Sequence, residues 1–255
     1  MNIDIYPRNV LIGLLWIITG LLLLNVLGVI SSLYINNQYI NGFVKLFNFD
    51  RERNIPAIYS SAALFLSGFL LFVIAMAHRV NSYPCFYWLG LTAIFLFLSF
   101  DEMFSIHERL SRFIRESFDM TGLFYFSWVI PYGLALVFLL LFYIRFLIRL
   151  PRNTIVLFFV SGLVFVSGAI GFEMVSGSYV EMYGRGSLFY ALLYTCEEFF
   201  EMLGVVIFIY ALLMYIVDEF KVLAINVNDP NTKPVESILR AVPKRSSTAA
   251  DNTWK

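Results

Sequence analysis

The chain has 255 residues, of which 60% are hydrophobic and 14% charged, with 18 basic against 18 acidic side chains. A soluble domain carries about a quarter charged residues, so this composition excludes an ordinary soluble fold, and a net charge of zero excludes a polybasic surface for nucleic acid. The two cysteines, Cys85 and Cys196, form neither a CxxC pair nor a metal-ligand spacing, and no disulfide is expected between them.

Taken in chain order, the first apolar run covers 10–31. It is too long for the core of a secretory signal, about 7–15 residues, and no small-residue cleavage site follows it. It therefore reads as a first membrane span. A polar, aromatic stretch follows over 34–53, with a short apolar run at 43–47 that predicts an interfacial turn of helix. Asn54-Ile-Pro56 opens the second span, 56–77; proline suits a first helical turn, where no N–H is needed. The third span is expected at 86–106. The fourth is expected at 124–148, with Phe124, Tyr125, Phe126 and Trp128 as an interface belt and Pro131 as a kink. Spans five and six are expected at 154–175 and 188–217. Each run reaches the roughly 20 residues a bilayer requires. The segment 218–255 is polar and rich in proline and serine, which predicts a mostly disordered tail with one helical turn near 235–241. The fold class is thus all-α: a polytopic membrane bundle of six spans over 1–217 and a tail over 218–255.

With the N-terminus inside, 11 basic residues fall on the inner side and 7 on the outer. Without the five tail residues the count is 6 against 7, so the short-loop cluster Arg145, Arg149 and Arg152 decides, and both termini are expected in the cytoplasm by the positive-inside rule.

Acidic residues within spans are costly and mark function by default. Six lie in or at the ends of these spans: Asp101, Glu102, Glu173, Glu197, Glu198 and Glu201. No lysine or arginine lies well inside a span to balance them. Spans three and five run in the same direction and span six runs back, so all six acids fall in the same half of the membrane. At a rise of about 1.5 Å per residue, Glu197 lies about 13 Å below the start of its span and Asp101 about 8 Å below the end of its own. Glu197 and Glu201 are i, i+4 and Glu198 and Glu201 are i, i+3, which spreads three carboxylates over an arc of about 100°. At low dielectric they cannot all remain ionised unaided. Protonation would make a proton relay or a hydrogen-bonded network. A bound cation would make a metal site, with oxygen ligands suiting Mg, Ca or Mn and an added imidazole suiting Zn or Fe.

His107 is the one histidine near the cluster. A continuous helix turns it about 120° from Asp101, so both reach one ion only if the helix breaks between them. Plainer roles stand beside these. Asp101, Glu102 and Glu173 could cap or snorkel at an interface, His107 could be interfacial, and the three later glutamates could be a protonated network. The segment after His107 pairs Glu108 with Arg112 and Arg112 with Glu116 at i, i+4, opposite an apolar face. It is expected to be an amphipathic surface helix, a possible lid. Ser161, Gly168 and Gly171 form a small-residue face for close helix packing.

Asn54-Ile-Pro56, Phe100-Asp101-Glu102 with His107-Glu108, Gly168-Ala-Ile-Gly171-Phe-Glu173 and Glu197-Glu198-Phe-Phe-Glu201-Met-Leu-Gly204 together resemble a family of uncharacterised bacterial multipass membrane proteins, some described loosely as transporter-like. The resemblance covers about 40–217. It implies a bacterial inner membrane and a functional site, with no activity to carry over.

Three readings follow. In the first, a divalent metal ion is held by ligands drawn from Asp101, Glu102, His107, Glu173, Glu197, Glu198 and Glu201. The protein would be a metal-dependent enzyme on a membrane lipid or lipid-linked substrate, with Glu197 or Glu201 as general base. In the second, the glutamates serve a proton- or cation-coupled transporter, which with six spans and no inverted repeat would need to be a homo-oligomer. In the third, the acids are hydrogen-bonded parts of a structural or assembly subunit.

Overall fold

The computed structural model describes residues 6–34, 38–225 and 239–243. Among these, six helices are long and apolar enough to cross a membrane, and the chain is an all-α multipass membrane bundle. Helix α1 (Pro7–Tyr34) is followed by the short amphipathic α2 (Gln38–Phe47), which includes and extends the turn of helix expected at 43–47. Asn54 caps α3 (Ile55–Val80): its side chain accepts from the Ala57 N–H at 3.1 Å, and Pro56 sits in the first turn. Helix α4 (Phe86–Phe104) packs along α3 over its length. Ser61 and Ser99 lock the pair, each hydroxyl donating at 2.8 Å to the other's backbone carbonyl.

Helix α5 (Ile106–Phe118) is amphipathic, as expected, but Glu108, Arg112 and Glu116 make no ion pair in it; among the described residues only His107 has a carboxylate within 4.0 Å. Helix α6 (Val129–Leu147) starts later than predicted. Pro131 therefore falls in its first turn, where it displaces no hydrogen bond and makes no kink. The fifth span is longer than predicted and runs from Arg152 to Tyr183. It consists of α7 (Arg152–Val166), a π turn (Ser167–Phe172) and α8 (Glu173–Tyr183). Helix α9 (Leu188–Glu219), capped by Ser187, is the central element and touches α1, α3, α7 and α8. The chain then forms β1 (Phe220–Ile225), antiparallel to β2 (Leu239–Pro243). The helical turn expected near 235–241 is strand over 239–241, and the remainder of that expectation lies outside the described residues, as does most of the tail.

Close approach of α7 to α9 depends on glycine. A Cβ on Gly204 would stand 2.7 Å from the backbone nitrogen of Phe165, and one on Gly168 would stand 2.6 Å from the carbonyl oxygen of Glu197. Gly168 thus has the packing role expected of it, whereas a Cβ on Gly171 would meet nothing within 4 Å. Gly204→Leu is expected to cost about 1–3 kcal/mol through overpacking, measured as a lower midpoint of thermal unfolding in detergent; an unchanged midpoint would show that α7 gives way freely.

Candidate functional site

The site begins with a broken helix. Ser105 adopts left-handed backbone (φ 52, ψ 50) and separates α4 from α5. This is the break that His107 needs to reach Asp101. The His107 N–H donates to Asp101 Oδ1 at 2.7 Å, and His107 Nδ1 lies 3.3 Å from the same oxygen. Asp101 is 5% exposed, and its second oxygen accepts from the Tyr132 hydroxyl of α6 at 2.9 Å. Three elements therefore meet on one carboxylate.

On its other side His107 faces Glu52, with Nε2 3.9 Å from Oε1, while the Ser105 hydroxyl donates to Glu52 Oε2 at 3.1 Å. Burial alone would lower the His107 pKa, but its hydrogen bond to Asp101 and the charges of Asp101, Glu102 and Glu52 outweigh burial and hold it up at about 10. His107 is thus an imidazolium at neutral pH. Burial pushes the Glu52 carboxyl up despite the nearby His107 charge. It does the same to Asp50, against the hydrogen bond that the Tyr190 hydroxyl donates to it.

The His107 ring lies 5.1 Å from that of Trp128, and Trp128 Nε1 donates to Glu173 at 2.8 Å. Glu173 follows directly on the π turn, a form frequent at functional sites. The Ser176 hydroxyl, one turn on, donates to Glu197 Oε2 at 3.2 Å. Glu173 lies ten residues before the end of the fifth span at Tyr183, further from that end than the sequence bounds implied.

All seven residues singled out from the sequence line one cavity of about 550 Å³: Asp101, Glu102, His107, Glu173, Glu197, Glu198 and Glu201. Glu197, Glu198 and Glu201 are half-buried, facing that space. Together with Glu102 and Glu173 they lie within electrostatic reach of one another. Asp50, Glu52 and Glu108 join them, which brings nine carboxylates of the described residues to the cavity wall. No three His, Cys, Asp or Glu side chains among the described residues converge tightly enough to hold an ion in the arrangement present.

Sequence reasoning missed Asp50 and Glu52, which sit in the loop before α3, and the aromatic partners Trp128, Tyr132 and Tyr190. Charge periodicity within spans carries no signal for a loop that folds inward, and an interface belt is the ordinary reading of Trp128. Arg112, Arg115 and Arg185 also line the cavity. Cys196 on α9 is a free thiol and does not line the cavity.

The chain belongs to the family described as Domain of unknown function (DUF8692), whose model matches residues 13–216. No curated protein and no solved structure matches it.

Proposed function

We propose that this membrane protein binds a divalent cation among Glu102, Glu198 and Glu201, and that it is a metal-dependent enzyme acting on a membrane lipid. The observation that carries the reading is the charge imbalance of the cavity. Five glutamates from spans α4, α8 and α9 face one another there, and the only cation paired with a carboxylate among the described residues is His107. Such a cluster inside a membrane is expensive unless a ligand neutralises it.

The donor set is carboxylate oxygen, which suits Mg, Ca or Mn. His107 is taken up by Asp101 and Glu52, so its part is to fix Asp101 and the α4–α5 junction rather than to ligate. Glu102, Glu198 and Glu201 have long side chains bordering open space, and rotation of these chains would draw them together on an ion. A bound cation would supply charge neutralisation and acidify a water. Glu197, oriented by Ser176, is then placed to accept a proton as general base. The setting proposed is the bacterial inner membrane, with both termini cytoplasmic and the cavity opening to the outer side.

One observation favours a second reading. Tyr132 and His107 both bond to Asp101, and Glu52 lies 3.9 Å beyond His107 Nε2, a string of titratable groups that one water would complete for proton transfer, as a proton-coupled transporter would require.

Metal content by mass spectrometry of gently purified protein separates the two. Near-stoichiometric metal in the wild type, lost at least tenfold in Glu198→Gln and Glu201→Gln, is the expected result. Folded wild-type protein without metal would overturn the cation reading and transfer the glutamates to proton coupling, to be followed by proteoliposome flux with Glu201→Gln.

A further inference from the structure

Helix α6 is fixed at its two ends and stands away from the bundle between them. At one end Tyr132 holds Asp101 and Trp128 holds Glu173. At the other, Tyr143 and Phe146 are buried in the core around Trp88. Between these anchors, Leu136 and Leu140 face a second cavity of about 410 Å³. Its wall includes Ile155 and Phe158 of α7 and Phe208 of α9, and among the described residues it contains no ionisable group. The two cavities adjoin, with Leu64, Phe95, Leu136, Leu140, Gly162 and Phe165 lining both.

The chemistry of this joined space changes in order along α9. Arg185 precedes the helix, Glu197 to Glu201 occupy its middle, and Phe208 borders the apolar end. Leu188 to Phe208 spans about 30 Å at 1.5 Å per residue. The polar end carries Arg112, Arg115 and Arg185. None has a carboxylate within ion-pair distance among the described residues, although nine line the same space. Arg115 lies 4.4 Å from the ring centre of Tyr125 and Arg185 lies 5.9 Å from that of Phe126, contacts that hold the guanidinium groups without occupying their donors. Ser111, beside Arg112 and one turn from Arg115, lines this end. It is 4% exposed, and its hydroxyl has no hydrogen-bond partner, a buried donor that calls for an acceptor.

We infer that the joined space takes one membrane lipid with a phosphate in its headgroup. The phosphate lies among Arg112, Arg115 and Arg185, where unpaired guanidinium forks suit it, with Ser111 as a further donor. The linkage between head and chain lies at the glutamates, and one aliphatic chain fills the slot behind α6. The order matches a lipid standing in the leaflet on the α5 side, entering sideways between α6 and α7. This deepens the proposed function and rests on it for what happens at the linkage, but not for binding.

The test uses full-length protein stripped of metal by a chelator, so its outcome is independent of metal content. The protein is incubated in mixed micelles with equal dioleoyl phosphatidylglycerol and dioleoylglycerol, and lipid retained after washing is read by native mass spectrometry. One phosphatidylglycerol per chain, favoured at least tenfold over the diacylglycerol, is expected. A Cβ at Gly162 meets nothing within 4 Å, so Gly162→Phe should fill the slot without moving backbone and reduce retention at least tenfold. Gly133→Phe, on α6 outside both cavities, should leave retention unchanged. Leu140→Trp blocks the slot from the opposite wall should Gly162→Phe fail to fold. Replacing Arg112, Arg115 and Arg185 together by glutamine should abolish the preference for phosphate. Equal retention of the two lipids, or undiminished retention with the slot blocked, overturns the proposal.

Discussion

Asp101→Ala is expected to destabilise the protein by about 3–5 kcal/mol, the range for removing one partner of a buried ionic contact. The substitution leaves three donors without their acceptor: the His107 N–H, His107 Nδ1 and the Tyr132 hydroxyl. It also takes from the His107 imidazolium its bonded carboxylate, leaving Glu52 and Glu102 as the nearby acids. The strained backbone at Ser105 loses the contact that holds it, so the α4–α5 junction and the near end of α6 loosen together. Asp101→Asn, with its carbonyl oxygen in the place of Oδ1, keeps an acceptor for the two His107 donors and is expected to cost about half as much. Thermal unfolding in detergent, followed by circular dichroism, checks both. A loss under about 1 kcal/mol for the alanine variant would show that the junction is held by something other than this carboxylate.

A comparable loss is expected from Asn25→Leu, about 3 kcal/mol. Asn25 is 1% exposed in α1. Its Nδ2 donates to the Thr195 hydroxyl on α9 at 2.8 Å, and its Oδ1 accepts from the Phe49 N–H at 3.0 Å. One amide therefore pins the first span, the loop that carries Asp50 and Glu52, and the helix that carries Glu197 to Glu201. Leucine keeps the branched shape, is somewhat larger and satisfies neither bond. Because the loop is released as well, metal content should fall with stability, whereas Gly204→Leu should lower stability alone. A variant with lowered stability and full metal content would show that the loop does not support the site.

The spans themselves were legible because long uncharged apolar runs have few other uses, and the acid cluster was legible because antiparallel helices bring fixed depths together. Periodicity could not reach the events between helices. A continuous helix sets His107 away from Asp101, and only the left-handed turn at Ser105 brings them together. Serine carries no strong signal for that conformation, as glycine would have done. Pro131 predicts a kink only if the helix begins well before it; with the start at Val129 it falls in the first turn, where the same residue is neutral. The inward fold of the loop at Asp50 and Glu52 depends on Asn25, Tyr190 and Ser105, partners remote in sequence. The strand pair after α9 was also unmarked: Phe220–Ile225 and Leu239–Pro243 are largely apolar, but the polar, proline-bearing stretch between them dominates the composition of the tail.

The π turn at Ser167–Phe172 has a bearing on ancestry. Such a turn closes its hydrogen bonds one residue later than an α turn, so it accommodates a single extra residue without ending the helix. Removing one residue from it would restore an ordinary α turn and leave the register on either side nearly unchanged, whereas the same deletion elsewhere in the span would rotate everything beyond by about 100°, carrying Glu173 away from Trp128 and Ser176 away from Glu197. A residue can therefore be gained or lost at this turn by one codon, with the acids beyond it still facing the cavity. Relatives that differ by a one-residue gap here should keep what this wall offers a ligand along with the same six spans.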